Sequence, residues 1–129
     1  MIDVTLEKPG EYHFVKSVDT EGIRIGQAVY TSSIILTPDQ IMENWAPTRL
    51  DTLTLSHLES LFALDPEVAL LGTGPTQGFL SRELMIEVIR QGIGLEVMTT
   101  DAACRTFNIL ASDGRRVAAG LLPMQANPA

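Results

Sequence analysis

Two groups of residues in this chain of 129 have the types and spacing to do chemistry. The first is Gly72-Thr73-Gly74-Pro75-Thr76, a glycine turn with two hydroxyls that follows the apolar run Val68 to Leu71. At the carboxyl end of a strand in an open α/β sheet, the backbone N–H groups of such a turn can cradle a small anion or polar group. The second group is Thr100, Cys104 and Asn108. With Thr100 read as the N-cap of a helix, Cys104 falls just past the first turn and Asn108 lies four residues on, on the same face as Cys104 and Ala111. The positive end of that helix predicts a modest lowering of the thiol pKa, which favours nucleophilic chemistry.

Neither group completes a known catalytic motif. A dinucleotide fingerprint needs glycines at the first, third and sixth positions, and counting from Gly72 the sixth is Gln77, with Gly78 one residue late. A triphosphate loop ends in Gly-Lys-Ser/Thr, whereas Gly78-Phe79-Leu80 offers neither lysine nor hydroxyl. A thiol hydrolase needs a base, and the only histidines, His13 and His57, sit in ordinary strand and helix contexts. No metal site or cofactor is expected from two histidines and a single cysteine. Structural alternatives stand beside both groups. Gly72 and Gly74 allow a sharp turn and close packing, stiffened by Pro75. Cys104 suits a small core position, and Asn108 can satisfy a neighbouring backbone group. Arg115 and Arg116 either solvate a turn or anchor a partner's carboxylate.

The elements that would position these residues follow from periodicity. Val68 to Leu71 is short and wholly apolar, as a strand buried on both faces of a sheet must be. Leu84, Met85, Val88 and Ile89 predict an inward helix face, with Glu83, Glu87 and Arg90 outward and Gly92 at the C-terminus. Leu95 to Met98 is the next strand, and together these form a right-handed crossover. A helix over about residues 101–111 follows, its apolar side lined by Ala103, Phe107 and Leu110 and its end set by Asp113-Gly114. Val117 to Leu122 is the last strand, with residues 123–129 a loose tail. Earlier in the chain, Tyr12 and Phe14 alternate with His13 and Val15, Glu21-Gly22 supplies a turn, and residues 28–36 continue a strand pair or meander. Residues 39–47 look short and irregular. Ser56 to Leu64 predicts a helix capped by Ser56, with Leu58, Leu61 and Phe62 as its buried stripe.

Composition bounds the function classes. Length and a 45% hydrophobic content predict one globular domain, residues 1–129. Of the formal charge of −7, all the excess lies in residues 1–67, where 11 Asp/Glu face 4 Lys/Arg; residues 68–129 hold 5 of each. Such a surface disfavours nucleic acid and anionic lipid. A single cysteine excludes an internal disulfide and fits a reducing, cytoplasmic setting. Met1 to Gly10 lacks the apolar core of a signal peptide, and no apolar run approaches the roughly 20 residues of a membrane span.

The segments "PEVALLGTG" (66–74) and "GIGLEVMTTDAACRTFNILASDGRRVAAGL" (92–121) resemble family 498 of domains of unknown function. The likeness is specific over residues 66–122, and the glycine turn, Thr100 and Asn108 match the family pattern. The resemblance implies a three-layer α/β domain with a central mixed sheet, helices packed on it and an N-terminal β meander. It implies no reaction. Mitochondrial members bind partner proteins while respiratory complex I is assembled, so the expected role is a non-enzymatic interaction or assembly factor. Its partners would be membrane-complex subunits or insertion machinery, its location cytoplasmic or peripheral to the inner membrane, and homo-oligomers are possible. The alternative is a ligand-binding protein or enzyme with a pocket formed by Gly72, Thr73, Gly74, Thr76, Thr100, Cys104 and Asn108.

Overall fold

A computed structural model describes residues 12–124. The first strands, β1 (Val15–Asp19), β2 (Gly22–Ile25) and β3 (Ala28–Tyr30), form an antiparallel three-stranded sheet in the order β1-β2-β3. This is the expected meander, but its phase differs at the start: His13 and Val15 are buried and Phe14 faces solvent. The run 28–36 also divides, because Thr31 to Ser33 carries the chain out of the small sheet and β4 (Ile34–Leu36) joins a second one. There β5 (Ile41–Glu43), in the stretch expected to be irregular, pairs antiparallel with β4.

A turn of 3-10 helix at Leu50–Thr52 leads into α1 (Leu55–Phe62). Its cap is Thr54 rather than Ser56. The Thr54 hydroxyl accepts from the His57 N–H while the His57 ring accepts from the Thr54 N–H, a reciprocal box that Ser56, already inside the helix, cannot make. Leu58, Leu61 and Phe62 are buried as their spacing requires.

The crossover unit is present as β6 (Val68–Gly72), α2 (Arg82–Gln91) and β7 (Leu95–Met98), with β6 and β7 parallel neighbours. Ser81 caps α2 and Gly92 ends it. Only Val88 is fully buried, with Leu84 packed beside it; Met85 and Ile89, expected inward, are 45% and 70% exposed. The α2 sequence carries five apolar side chains within residues 84–89, more than one contact face can cover, so part of the set remains outside. Next, α3 (Thr100–Ser112) is capped by Thr99, whose hydroxyl accepts from Ala102 N–H, and not by Thr100. The last strand, β8 (Val117–Leu121), is buried throughout. The expected tail lies outside the described residues from 125 onward.

The second sheet has the order β5-β4-β8-β6-β7, with β6 parallel to both neighbours and β8 antiparallel to β4. Alternation along the central strands divides the interior in two. Ile34, Leu36, Leu70, Val117, Ala119 and Leu121 face α3 and the small sheet. Ile35, Ala69, Leu71, Ala118 and Leu122 face α1 and α2, where Trp45 is also packed. The fold is therefore a mixed α/β sandwich of three layers.

Trp45 fixes the spacing of one layer. Its ring lies where a side chain on Gly120 would be, since a Cβ there would stand 2.5 Å from the ring carbon Cη2, and its indole N–H donates to His57 O at 3.2 Å. Replacing Gly120 with valine should therefore destabilise the domain by about 1–3 kcal/mol through overpacking. Urea denaturation checks this: a midpoint equal to that of the unmodified protein would show that Trp45 yields without cost.

Candidate functional site

The glycine turn and the start of α3 meet at one rim of the five-stranded sheet. Thr100 N–H donates to Gly74 O at 3.0 Å, and Gly74 N–H donates to the Thr100 hydroxyl oxygen at 2.9 Å. That hydroxyl in turn donates to Leu122 O at 2.6 Å. Leu122 N–H donates to Gly72 O at 3.0 Å, and Thr73 N–H donates to Met98 O at 2.8 Å. The wholly buried Thr100 hydroxyl thus joins α3 to the turn and to the end of β8, and backbone bonds tie the ends of β6 and β7 to the same corner. Gly72 is required by close approach: a Cβ on it would stand 2.8 Å from both Cα and Oγ1 of Thr100.

The expected residues therefore divide. Gly72, Thr73, Gly74, Thr76 and Thr100 come together, but the hydroxyls among them at Thr73 and Thr100 are used inside the fold: the Thr73 hydroxyl donates to Thr76 O at 2.7 Å. Cys104 lies one turn further along α3, buried against the core that includes Leu70 and Phe107. Asn108 stands eight residues from Thr100, about 12 Å along the helix axis. It does not reach the corner. Its side-chain carbonyl accepts from Val15 N–H at 2.9 Å and its amide donates to Val15 O at 3.0 Å, so it pairs with β1 as another strand would.

Cys104 is buried, which works against the lowered thiol pKa expected from the helix end. Burial, with the Asp101 charge adding to it and Arg105 opposing, pushes the Cys104 pKa up to about 12. Removal from water penalises the thiolate more than the helix end favours it. His57 is committed to the α1 cap and the His13 Nδ1 pairs with Thr37 O at 3.1 Å, so neither is placed as its base. Among the described residues no cluster of three His, Cys, Asp or Glu side chains is arranged for a metal.

Two features went unread in the sequence. The first is the outer side of α2: Ile86 is 42% and Ile89 70% exposed, and Phe79, just before the helix, is 78% exposed. The excess of apolar residues in α2 was its available signal. The second is an open groove of about 530 Å³ at the start of β8, whose rim includes Arg115 and Arg116. Its walls come from distant segments, and no local pattern marks it.

Comparison with known proteins adds a family. The model of the proteins of unknown function DUF498/DUF598 matches residues 15–122. The NADH dehydrogenase (ubiquinone) 1 alpha subcomplex assembly factor 3 of Danio rerio is 34% identical over 115 residues, 87% of this chain and 65% of that protein, so the chain spans a little under two thirds of this relative's length. The 13 kDa major membrane protein of Francisella tularensis is 30% identical over 96 residues, 74% of this chain and 76% of that one. The NMR structure of a Xanthomonas campestris protein superposes with a TM-score of 0.80 at 35% identity, covering 95% of this chain and 94% of the other.

Thr100→Val keeps the shape of the corner while leaving Gly74 N–H and Leu122 O unpaired in the interior, at a cost of about 1–3 kcal/mol for each group. Thr100→Ser should retain most of the stability, and equal melting temperatures for the valine and serine variants would contradict the role of the hydroxyl. For Cys104, the folded thiol holds its proton up to about pH 12, whereas the unfolded one loses it from about pH 9. Between those values the unfolded state binds fewer protons, so stability should fall as pH rises. In Cys104→Ser that slope should be shallower, and denaturation curves at pH 8 and pH 10.5 measure the difference.

Proposed function

The chain belongs to the DUF498/DUF598 family, and from that membership we propose that it acts as a non-enzymatic assembly or interaction factor for a membrane-associated complex of the respiratory complex I kind. The observation that carries this is the 34% identity over 115 residues to a complex I assembly factor. The reading extends to the partners, membrane-complex subunits or their insertion machinery, and to a place beside the membrane rather than through it. No helix among the described residues is long and apolar enough to cross a membrane.

The structure supplies a surface suited to such work. Phe79, Met85, Ile86 and Ile89 lie on or next to the outer side of α2, flanked by Arg82 and Arg90. Clustered apolar side chains at a surface are what a protein partner buries. The acidic excess of residues 1–67 would steer a basic partner toward the molecule. A ligand pocket at the glycine corner has less support, because the Thr73 and Thr100 hydroxyls and the Gly74 N–H are already paired there.

Affinity capture of the tagged full chain from solubilised native membranes and from cytosol tests the proposal. Subunits of a membrane complex should be enriched over a control protein of matched charge, and the double variant Phe79→Ser, Ile89→Asp should lower recovery roughly tenfold. Enrichment of no such subunit would end the assembly reading. Recovery unchanged by the double variant would remove α2 as the contact.

A further inference from the structure

At the rim opposite the glycine corner, where β6 and β8 begin, lies the open groove of about 530 Å³. This size falls within the range of binding pockets for small ligands, about 300–1,000 Å³. Tyr12, Pro38, Leu64 and Pro66 give it apolar walls, and Arg115 and Arg116 stand at its rim. These walls come from the segments before β1, after β4 and after α1, so only the folded chain assembles them.

The arginines are held in place by their surroundings. Arg115 N–H closes the end of α3 on Leu110 O at 3.0 Å. Glu67 then takes both: one carboxylate oxygen accepts from Arg116 N–H at 2.9 Å and the other pairs with Arg115 Nε at 3.3 Å. The Arg116 N–H, opposed by some desolvation and helped by the Arg115 charge, holds the Glu67 carboxyl below the usual range, so it stays ionised near neutrality. Arg116 Nε donates to Asp65 O at 3.2 Å. Among the described residues nothing takes up the two terminal nitrogens of Arg116, which leaves a planar pair of donors of the kind that grips a carboxylate.

Charge around the groove narrows the anion. Glu67 offsets Arg115, and the Asp39 carboxylate, which accepts from the Thr37 hydroxyl at 2.9 Å, also lines the groove. A doubly charged phosphate would meet Asp39 with only one uncompensated guanidinium to hold it. A single carboxylate meets Asp39 with one negative charge rather than two while still taking the terminal Arg116 donors, an apolar body suits the walls, and an open groove lets a chain leave at one end.

We propose that this groove binds the free C-terminal carboxylate of a partner polypeptide ending in an apolar residue, with Arg116 gripping the carboxylate and the Tyr12, Pro38, Leu64 and Pro66 walls taking the last side chain. The site is separate from the α2 face and does not depend on the assembly role. Arg116 also ties the start of β8 to the segment after α1 through Asp65 O. A purely structural part of that kind would change the melting temperature without creating carboxylate-dependent binding.

The test is fluorescence titration of the purified full chain with labelled hexapeptides ending in Leu, Ile, Val or Phe, each as free acid and as C-terminal amide. At least one free acid should bind, and its amide should bind about tenfold or more weaker, since hydrogen bonds to a charged group are lost. Arg116→Gln should weaken the free acid by a similar factor while the variant stays folded, with only a small fall in melting temperature from the lost bond to Asp65 O. Gln40→Trp, a groove-lining change at an exposed side chain, should block it. Binding by no free acid below ~1 mM, equal binding of acid and amide, or indifference to both variants would overturn the proposal. Competition by decanoate at equal or better affinity than any peptide would overturn the polypeptide as its source.

Discussion

Everything in this fold depends on β8 having no face to give to water. It lies between β4 and β6 in the middle of the five-stranded sheet, and all five of its residues are buried. A strand in that position must be apolar on both sides and, where layers approach closely, small. Val117-Ala118-Ala119-Gly120-Leu121 meets both demands. Ala118 and Gly120 leave room for α1 and for the ring of Trp45, while Val117, Ala119 and Leu121 complete the core beneath α3. The hydrophobic effect drives the two layers onto this strand, and the missing side chain at position 120 sets how near one of them comes.

Polar groups enter this dry interior only where each is paired. The Thr100 hydroxyl both accepts from Gly74 and donates to Leu122, and Asn108 offers Val15 a donor and an acceptor in strand-like geometry. Among the described residues no buried side-chain nitrogen or oxygen is left without a partner. The glycine turn therefore resembles an anion cradle in sequence and acts as a structural joint in the fold. Its backbone is drawn inward to Thr100 and the Thr73 hydroxyl closes on Thr76 O.

The surfaces available for recognition lie elsewhere. One is apolar and formed by α2 with Phe79, on the layer that also carries α1. The other is a groove with arginines at its rim, at the end of the sheet away from the glycine joint. The interior secures the framework, and the two features left exposed differ in chemistry.

The sequence by itself determined the parts governed by neighbours along the chain. Val68 to Leu71 read as a short buried strand, Leu58, Leu61 and Phe62 as one side of a helix, and Gly92 and Gly114 marked helix ends because their positions need a left-handed backbone. The family-specific segments were likewise legible, since close local packing restricts residue type. Tertiary structure decided what depends on residues far apart in sequence. It set which of Thr99 and Thr100 caps α3 and which is spent on Gly74 and Leu122, and how much of α2 the sheet could cover. It also decided that Cys104 would be desolvated, and that Tyr12, Pro38, Leu64 and Arg116 would share a groove. Burial and hydrogen bonding over long separations govern all of these, and neither is a property of a local sequence pattern.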